Sequence, residues 1–415
     1  MLDWNDLHPY NAVHVLEVST ALDFEKLTKV IEQSLEFHGL THLTLDRKKS
    51  CRFAGGFSPC EIVRIEATEN PHELLRAEIE RQINTAFDSS HTFLPFRFFV
   101  VAKKASFHLG LVYFHAIADA VSIVHLLRHI YENYRNDGKI SDPKPFGRAR
   151  TETRFHPLAL TRKTGAFLKQ LREHQHSVRV AQRNFSHANR FECFSLGPET
   201  LRALSESAKN WEVTINDIFL AVLLMCCSPF ARNRFQQSRR RRVTVGCIAN
   251  TRSDLRLENP QAWGLFLGSF VVSHEIPENV RLAELARDLR RQTLAIKRRK
   301  NHVGASPERF FGRLLLSFFS TEYRAKLYQK HYPLWGGLTN MNLNLLWPQP
   351  EGGPAVDFFR GVSTGPVTPL VLSVTTARNV VNIGMTFRTA TFTEEHIVQI
   401  KKNFLKILGQ LNPRA

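Results

Sequence analysis

Between Phe107 and Tyr134 the chain reads FHLGLVYFHAIADAVSIVHLLRHIYENY, a strand, a polar elbow and an amphipathic helix with no spacer between them. Leu109, Leu111 and Tyr113 alternate with His108, Gly110 and Val112, the period of an extended chain. Val124, Leu127, Ile130, Tyr131 and Tyr134 then recur at helical spacing. A strand feeding directly into a helix requires a layered α/β arrangement. The elbow carries two groups able to handle protons, His115 and, four residues on, Asp119. A histidine held at a strand end by a rigid scaffold suits general-base work, although the HxxxD spacing alone also occurs around structural histidines.

A chain of 415 residues, 43% hydrophobic, suffices for two ordinary domains with separate cores. There is no run of eighteen apolar residues, and Asp3, Asp6 and His8 interrupt any leader-like start, so a cytoplasmic enzyme is expected. The six cysteines lack CxxC spacing and read as free thiols in a reducing compartment. His125 and His129 could share a helix face, but no HExxH glutamate lies between them and no third ligand is evident. No metal is expected.

In chain order, Asn11–Val18 alternates as a strand and Asp23–Phe37 carries an apolar helical face. Asn70-Pro71 reads as an N-cap followed by proline at the first helical position. Phe93–Ala102 is a buried strand that pairs with Phe107–Phe114 across Lys103–Ser106. From Ser141 onward, proline, arginine and isolated apolar residues mark a crossover, helical near Phe167–Val178. Further elements are expected at Pro198–Ala208 (helix), Thr214 onward (helix), Val243–Ala249 (strand), Arg281–Lys300 (helix), Met341–Trp347 (strand) and Val380–Phe387 (strand). Thr393 caps a final helix. No internal repeat is visible.

The segment YFHAIADAVS, Tyr113–Ser122, followed by an apolar helix, resembles the active-site segment of the HxxxD acyltransferase superfamily. That group includes chloramphenicol acetyltransferases, condensation domains of nonribosomal peptide synthetases, plant BAHD acyltransferases and wax ester synthase/diacylglycerol acyltransferases. Two residues depart from its commonest pattern. Phe114 stands where condensation domains and wax ester synthases carry a first histidine. Ala120 replaces the usual glycine after the aspartate, where a glycine-only backbone angle would be strained. TINDIFLAVLL, Thr214–Leu224, resembles the NDVVLA block of wax ester synthases, although a T-x-x-D capping box accounts for Thr214 and Asp217, and Asn216 is read as structural too. IANTRSDLRLENPQAWGLFLGSF, Ile248–Phe270, resembles the BAHD block in which a strand ends in an arginine. The resemblance makes Arg252 the bidentate partner of Asp119, and Asp119 a structural support with no relay role. Thr339 and Asn340 stand where wax ester synthase-like enzymes carry a Ser-Asn pair, which makes them candidates for oxyanion or substrate contact. VDFFRG, Val356–Gly361, partly resembles the BAHD DFGWG block and keeps Asp357 and Phe358.

The resemblance implies an α/β chain of two chloramphenicol acetyltransferase-like subdomains, each a mixed sheet flanked by helices, with an active-site tunnel at their interface. Residues 1–143 form the first subdomain, 144–190 a basic crossover and 191–415 the second. It further implies transfer of an acyl group from a thioester to an alcohol or amine, with His115 as general base. No covalent acyl-enzyme is expected, for there is no GxSxG elbow. No cofactor stays bound; acyl-coenzyme A or a phosphopantetheinyl carrier protein is the donor substrate, and the acceptor is a small molecule or carrier-bound.

Charge bears on the donor. The formal net charge is +18, and half of it lies in Lys144–Arg190, where eleven Lys and Arg stand against Glu152 and Glu173. A broad basic surface fits an acidic acyl or peptidyl carrier protein, and a single cofactor would need only two or three cations. Arg239–Arg242 has no nucleic-acid reader motif beside it, so nucleic acid ranks last among partners, and peripheral contact with an anionic membrane stays open. A noncatalytic module that docks a carrier is the rival class, supported by Phe114 and Ala120 and opposed by His115, Asp119 and Arg252.

Overall fold

The computed structural model describes residues 8–46, 50–67, 70–136, 144–147, 173–181, 188–255, 257, 259–300, 320, 323, 326, 327, 330–348, 357–365 and 367–411. Its first part runs β1 (Asn11–Val18), α1 (Phe24–Phe37), the hairpin β2 (Leu43–Asp46) and β3 (Ser50–Phe53), β4 (Ile62–Glu66), α2 (Pro71–Asn84), β5 (Phe96–Ala102), β6 (Phe107–Phe114) and α3 (Ala120–Arg135). The second runs β7 (Asn189–Leu196), α4 (Pro198–Asn210), α5 (Ile215–Cys227), β8 (Val243–Asn250), α6 (Arg252–Leu255), β9 (Leu267–His274), α7 (Leu282–Arg298), β10 (Gly336–Asn342), α8 (Leu343–Leu346), β11 (Phe358–Val362), β12 (Leu370–Ala377), β13 (Val380–Arg388) and α9 (Glu394–Gly409).

Two mixed sheets result, each with its own core. The five-stranded sheet has the order β11-β1-β6-β5-β4, and the six-stranded sheet β7-β13-β12-β10-β8-β9. The expected hairpin forms, with Phe107 opposite Ala102 and Tyr113 opposite Phe96. Every residue of β6 is buried, which explains why its alternation is of residue identity more than of polarity. Gly110 is required here, because a Cβ at that position would lie 2.1 Å from the Phe99 ring.

The local signals behave as their chemistry dictates. Asn70 caps α2 through Glu73 N at 3.3 Å, with Pro71 at its first position. Thr214 and Asp217 close a capping box on α5, and Thr393 caps α9. In α3 the buried Ile123, Leu126, Leu127 and Ile130 each contribute about 1.5–3 kcal/mol. A cap contributes about 1 kcal/mol. Packing therefore holds α3, and its cap fixes where it begins.

The expected strand over Met341–Trp347 is displaced. β10 ends at Asn342, whose side chain accepts from Asn344 N at 3.1 Å and starts the short helix α8. β11 crosses the sequential division at residue 191: it pairs antiparallel with β1, with Arg360 opposite His14, so the second stretch of chain completes the first sheet. Most of the basic crossover, and the greater part of its expected helix, lies outside the described residues. Residues 173–176 are helical, and Ser177 bridges Arg242. Two members of the arginine run hold this segment: Arg240 donates to Ser177 O at 2.8 Å and Arg242 to Glu173 at 2.7 Å. Among the described residues no single helix is long and apolar enough to cross a membrane.

Candidate active site

Strand β6 ends at Phe114 and releases His115 as the first residue of a five-residue elbow, His115–Asp119, before α3. The His115 backbone N–H donates to Tyr10 O at 2.9 Å, and its ring stacks on Tyr10 with centroids 5.0 Å apart. Tyr113 meets the ring edge-on at 5.4 Å. Nδ1 lies 3.1 Å from Ala118 O. A carbonyl can only accept, so Nδ1 carries the proton and Nε2 presents its lone pair. The residue keeps some exposure to solvent. Burial lowers its pKa below the ordinary histidine value, opposed by the Ala118 bond and the Asp119 charge and reinforced by Arg360. The neutral form, the one able to take a proton, is thus favoured.

Asp119 is fully buried, and its carboxylate faces the second lobe. One oxygen accepts from Ser122 N at 2.9 Å and caps α3; the other accepts from Phe266 N at 3.0 Å and from Arg252 Nη1. Arg252 begins α6 at the end of β8 and is 8% exposed. The expected bidentate fork does not form. Nη1 takes the aspartate, while Nη2 donates to Ser122 Oγ at 2.9 Å and Ala262 O at 3.2 Å, and the guanidinium lies 4.4 Å from the Phe266 ring centroid. The reason is Ser122, which sits between the lobes, accepts the second prong and donates to Gly264 O at 3.1 Å. The elbow is thereby tied to residues 262–266 by backbone as well as charge, since Asp119 N donates to Gly264 O at 3.0 Å.

Neither departure from the family pattern disturbs this elbow. Phe114 is fully buried, with its ring centroid 6.2 Å from Phe87 and 5.9 Å from Phe93. Ala120 is the first residue of α3 and is not among the non-glycine residues with positive φ, so the expected strain is absent.

Thr339 and Asn340 lie on opposite faces of β10, as successive strand residues must. Leu338 packs in the second core and Met341 in the first, so Thr339 faces the first lobe and Asn340 faces away from it. Thr339 meets a residue that spacing did not single out. Arg360, on β11, donates from Nη1 to Thr339 Oγ1 at 3.4 Å, from Nη2 to Thr339 O at 3.3 Å and Val374 O at 2.6 Å, and from Nε to Thr375 Oγ1 at 2.8 Å. An arginine amid Phe358, Phe359 and Val362 was the available signal.

Two other groupings hold side chains capable of chemistry. Glu17, His108 and Asp357 bring donor atoms within 4.8 Å of one another at the far end of β6. Lys103 Nζ already lies 2.8 Å from Glu17, and Glu17 N donates to Asp357 O at 3.1 Å, so the cluster fastens the entry to β11. All six cysteines are unpaired, and burial pushes Cys60, Cys193 and Cys227 up to about 12, which removes them as nucleophiles.

Two helix-flanked sheets, with a histidine elbow on one fastened by an arginine from the other, define the two-subdomain chloramphenicol acetyltransferase-like fold. A family model described as Condensation domain matches residues 5–303, and the chain belongs to that family. No curated protein matches by sequence comparison. Among solved structures, the first condensation domain of the calcium-dependent antibiotic synthetase, in complex with a substrate analogue, superposes with a TM-score of 0.70 at 14% identity, covering 99% of this chain and 94% of that one. The EpoB cyclization-docking bidomain from Sorangium cellulosum gives 0.68 at 13% identity, over 97% and 80%. The condensation domain of the Monacolin K polyketide synthase MokA gives 0.65 at 11%, over 97% and 92%. Condensation domains join carrier-bound substrates through an amide or ester bond.

Proposed function

We propose that this chain transfers an acyl group from a thioester to an amine or alcohol, with His115 Nε2 as the general base. The observation that carries the reading is the fixed tautomer of His115 at the end of β6, beside an elbow held from the other lobe. The acceptor would reach His115 from one side of the seam and the thioester from the other. As the acceptor heteroatom attacks the thioester carbonyl, its proton passes to Nε2; an oxyanion forms, collapses and expels the thiol, which takes the proton back. Asp119 does not join this relay, because its oxygens are engaged by Ser122, Phe266 and Arg252.

A carrier protein suits the donor role better than coenzyme A. The basic exterior of α7, with Arg287, Arg291 and Arg298 exposed, supplies part of the +18 charge and would attract an acidic carrier, in keeping with the synthetase context of the structures this chain resembles. Unpaired thiols suit a reducing, cytoplasmic compartment. The test is incubation with acyl-carrier and acyl-coenzyme A donors and a panel of amines and alcohols, read by mass spectrometry. Turnover that falls roughly 10²- to 10⁴-fold in His115→Ala is expected. Carrier binding without turnover in the wild type would make the protein a docking platform.

A further inference from the structure

A buried guanidinium with no carboxylate partner is unusual. An arginine taken from water ordinarily recovers the cost through a paired anion. Arg360 is 4% exposed, and among the described residues no Asp or Glu forms an ion pair with it. Its four hydrogen bonds go to two threonine hydroxyls and two carbonyls, all neutral. Nη1 bears two protons. One points to Thr339 Oγ1 at 3.4 Å, and no hydrogen bond among the described residues engages the second.

The position of this charge narrows its use. β11 places Arg360 opposite His14 on β1, and the His14 ring meets Tyr113 at 5.8 Å, which in turn meets His115 at 5.4 Å. These side chains share the sheet face that looks toward β10 and β12. The guanidinium is close enough to lower the proton affinity of both His14 and His115. Burial brings Arg360 itself to about 10, so it stays protonated at neutral pH.

We propose that Arg360 is a catalytic residue whose Nη1–H, steadied by Thr339, donates to the oxyanion formed when the acceptor attacks the thioester beside His115. The inference deepens the acyl-transfer reading and rests on it. When the acceptor heteroatom bonds to the carbonyl carbon, the π pair moves onto oxygen and the acceptor proton moves to His115 Nε2. When the carbon–sulfur bond breaks, the pair returns and the thiolate takes that proton. Negative charge exists on oxygen only between these events, which is when a fixed cation in a dry site acts most strongly. The absence of a resident carboxylate leaves the charge unneutralised for that moment.

The experiment compares wild type, Arg360→Gln and Arg360→Lys as full chains, with an acyl-carrier donor and the best acceptor from the panel above, after circular dichroism has established that each is folded. The expected result is a roughly 10²- to 10³-fold lower kcat in R360Q at nearly constant KM, with partial recovery in R360K. An NMR titration of the His115 ring in the same proteins should show its pKa rising in R360Q and returning toward the wild-type value in R360K. A folded R360Q with wild-type kcat, or one impaired only in KM, overturns the proposal while leaving the acyl-transfer reading intact. If R360Q does not fold, R360K decides: a kcat lowered by up to about tenfold at unchanged KM and Tm supports a role for the charge, and either an unchanged kcat or a hundredfold loss at unchanged Tm overturns it. A wild-type chain that turns over no donor sinks the acyl-transfer reading, and the proposal with it.

Discussion

Arg252 and Arg360 both reach from one lobe to the other, yet their surroundings are opposite. Arg252 meets a buried carboxylate and a serine, so its charge is cancelled within a hydrogen bond. Arg360 meets only hydroxyls and carbonyls, so its charge remains. The first arrangement joins two surfaces, and what acts on His115 from it is the carboxylate, which raises the pKa of the ring. The second joins two sheets equally well by hydrogen bonds and adds a positive potential on the side of His115. Fastening and electrostatics are thus separable in this interface, and the partner's charge decides which one an arginine supplies.

The contrast breaks most severely at the neutralised pair. Asp119→Ala or Arg252→Met leaves one buried charge without its counterpart and is expected to cost about 3–5 kcal/mol, read as a lower urea midpoint at unchanged m-value. The double variant should be less unstable than the sum of the two singles, because no charge is orphaned. A double variant that adds in full would mean the pair is not coupled. Next in size is Gly384→Ala. A Cβ there would lie 2.0 Å from Arg360 O, so β11 must move off β13. Destabilisation of about 1–3 kcal/mol is expected, together with a loss of activity resembling that of the Arg360 variants, while the Asp119–Arg252 elbow stays intact in a crystal structure.

Why one arginine was legible and the other was not follows from how each is encoded. The elbow announces itself locally, through a change from period two to period 3.6 across His115 and Asp119. Arg252 carries no such mark; only the resemblance of the segment around it to a known block points to it, and the split of its two prongs depends on Ser122, a contact between the lobes that spacing does not show. Arg360 sits on a five-residue strand that completes a sheet whose other strands precede it by more than two hundred residues, so its neighbours Thr339, Thr375 and His14 are invisible to spacing. Asn340 shows the converse. Once Thr339 is placed, strand alternation alone assigns the next residue to the other face. The early end of β10 has an equally local cause, Asn342 acting as a helix cap.

A smaller effect separates the two arginines by sign. Asp119 raises the His115 pKa and Arg360 lowers it. Because the neutral ring is the working form, the rate should climb as pH rises through a pKa below the ordinary value of 6.5 and level off above it. Removing the Asp119 charge, in Asp119→Asn, should move that limb to lower pH, and Arg360→Gln should move it to higher pH. Shifts in the same direction would indicate general loosening of the elbow and erase the distinction.

The smallest expected effect tests what shapes the elbow. If the turn depended on a glycine conformation after Asp119, Ala120 would be a defect and Ala120→Gly would improve activity. Ala120 instead takes ordinary helical backbone as the first residue of α3, and the turn before it is set by Asp119 accepting from Ser122 N while Asp119 N donates to Gly264 O. Glycine there adds freedom to the unfolded chain and removes a methyl group, so Ala120→Gly should lower stability by about 0.5–1 kcal/mol with kcat unchanged. A gain in kcat would show that the clamp from Arg252 does not by itself dictate the path of the chain around His115.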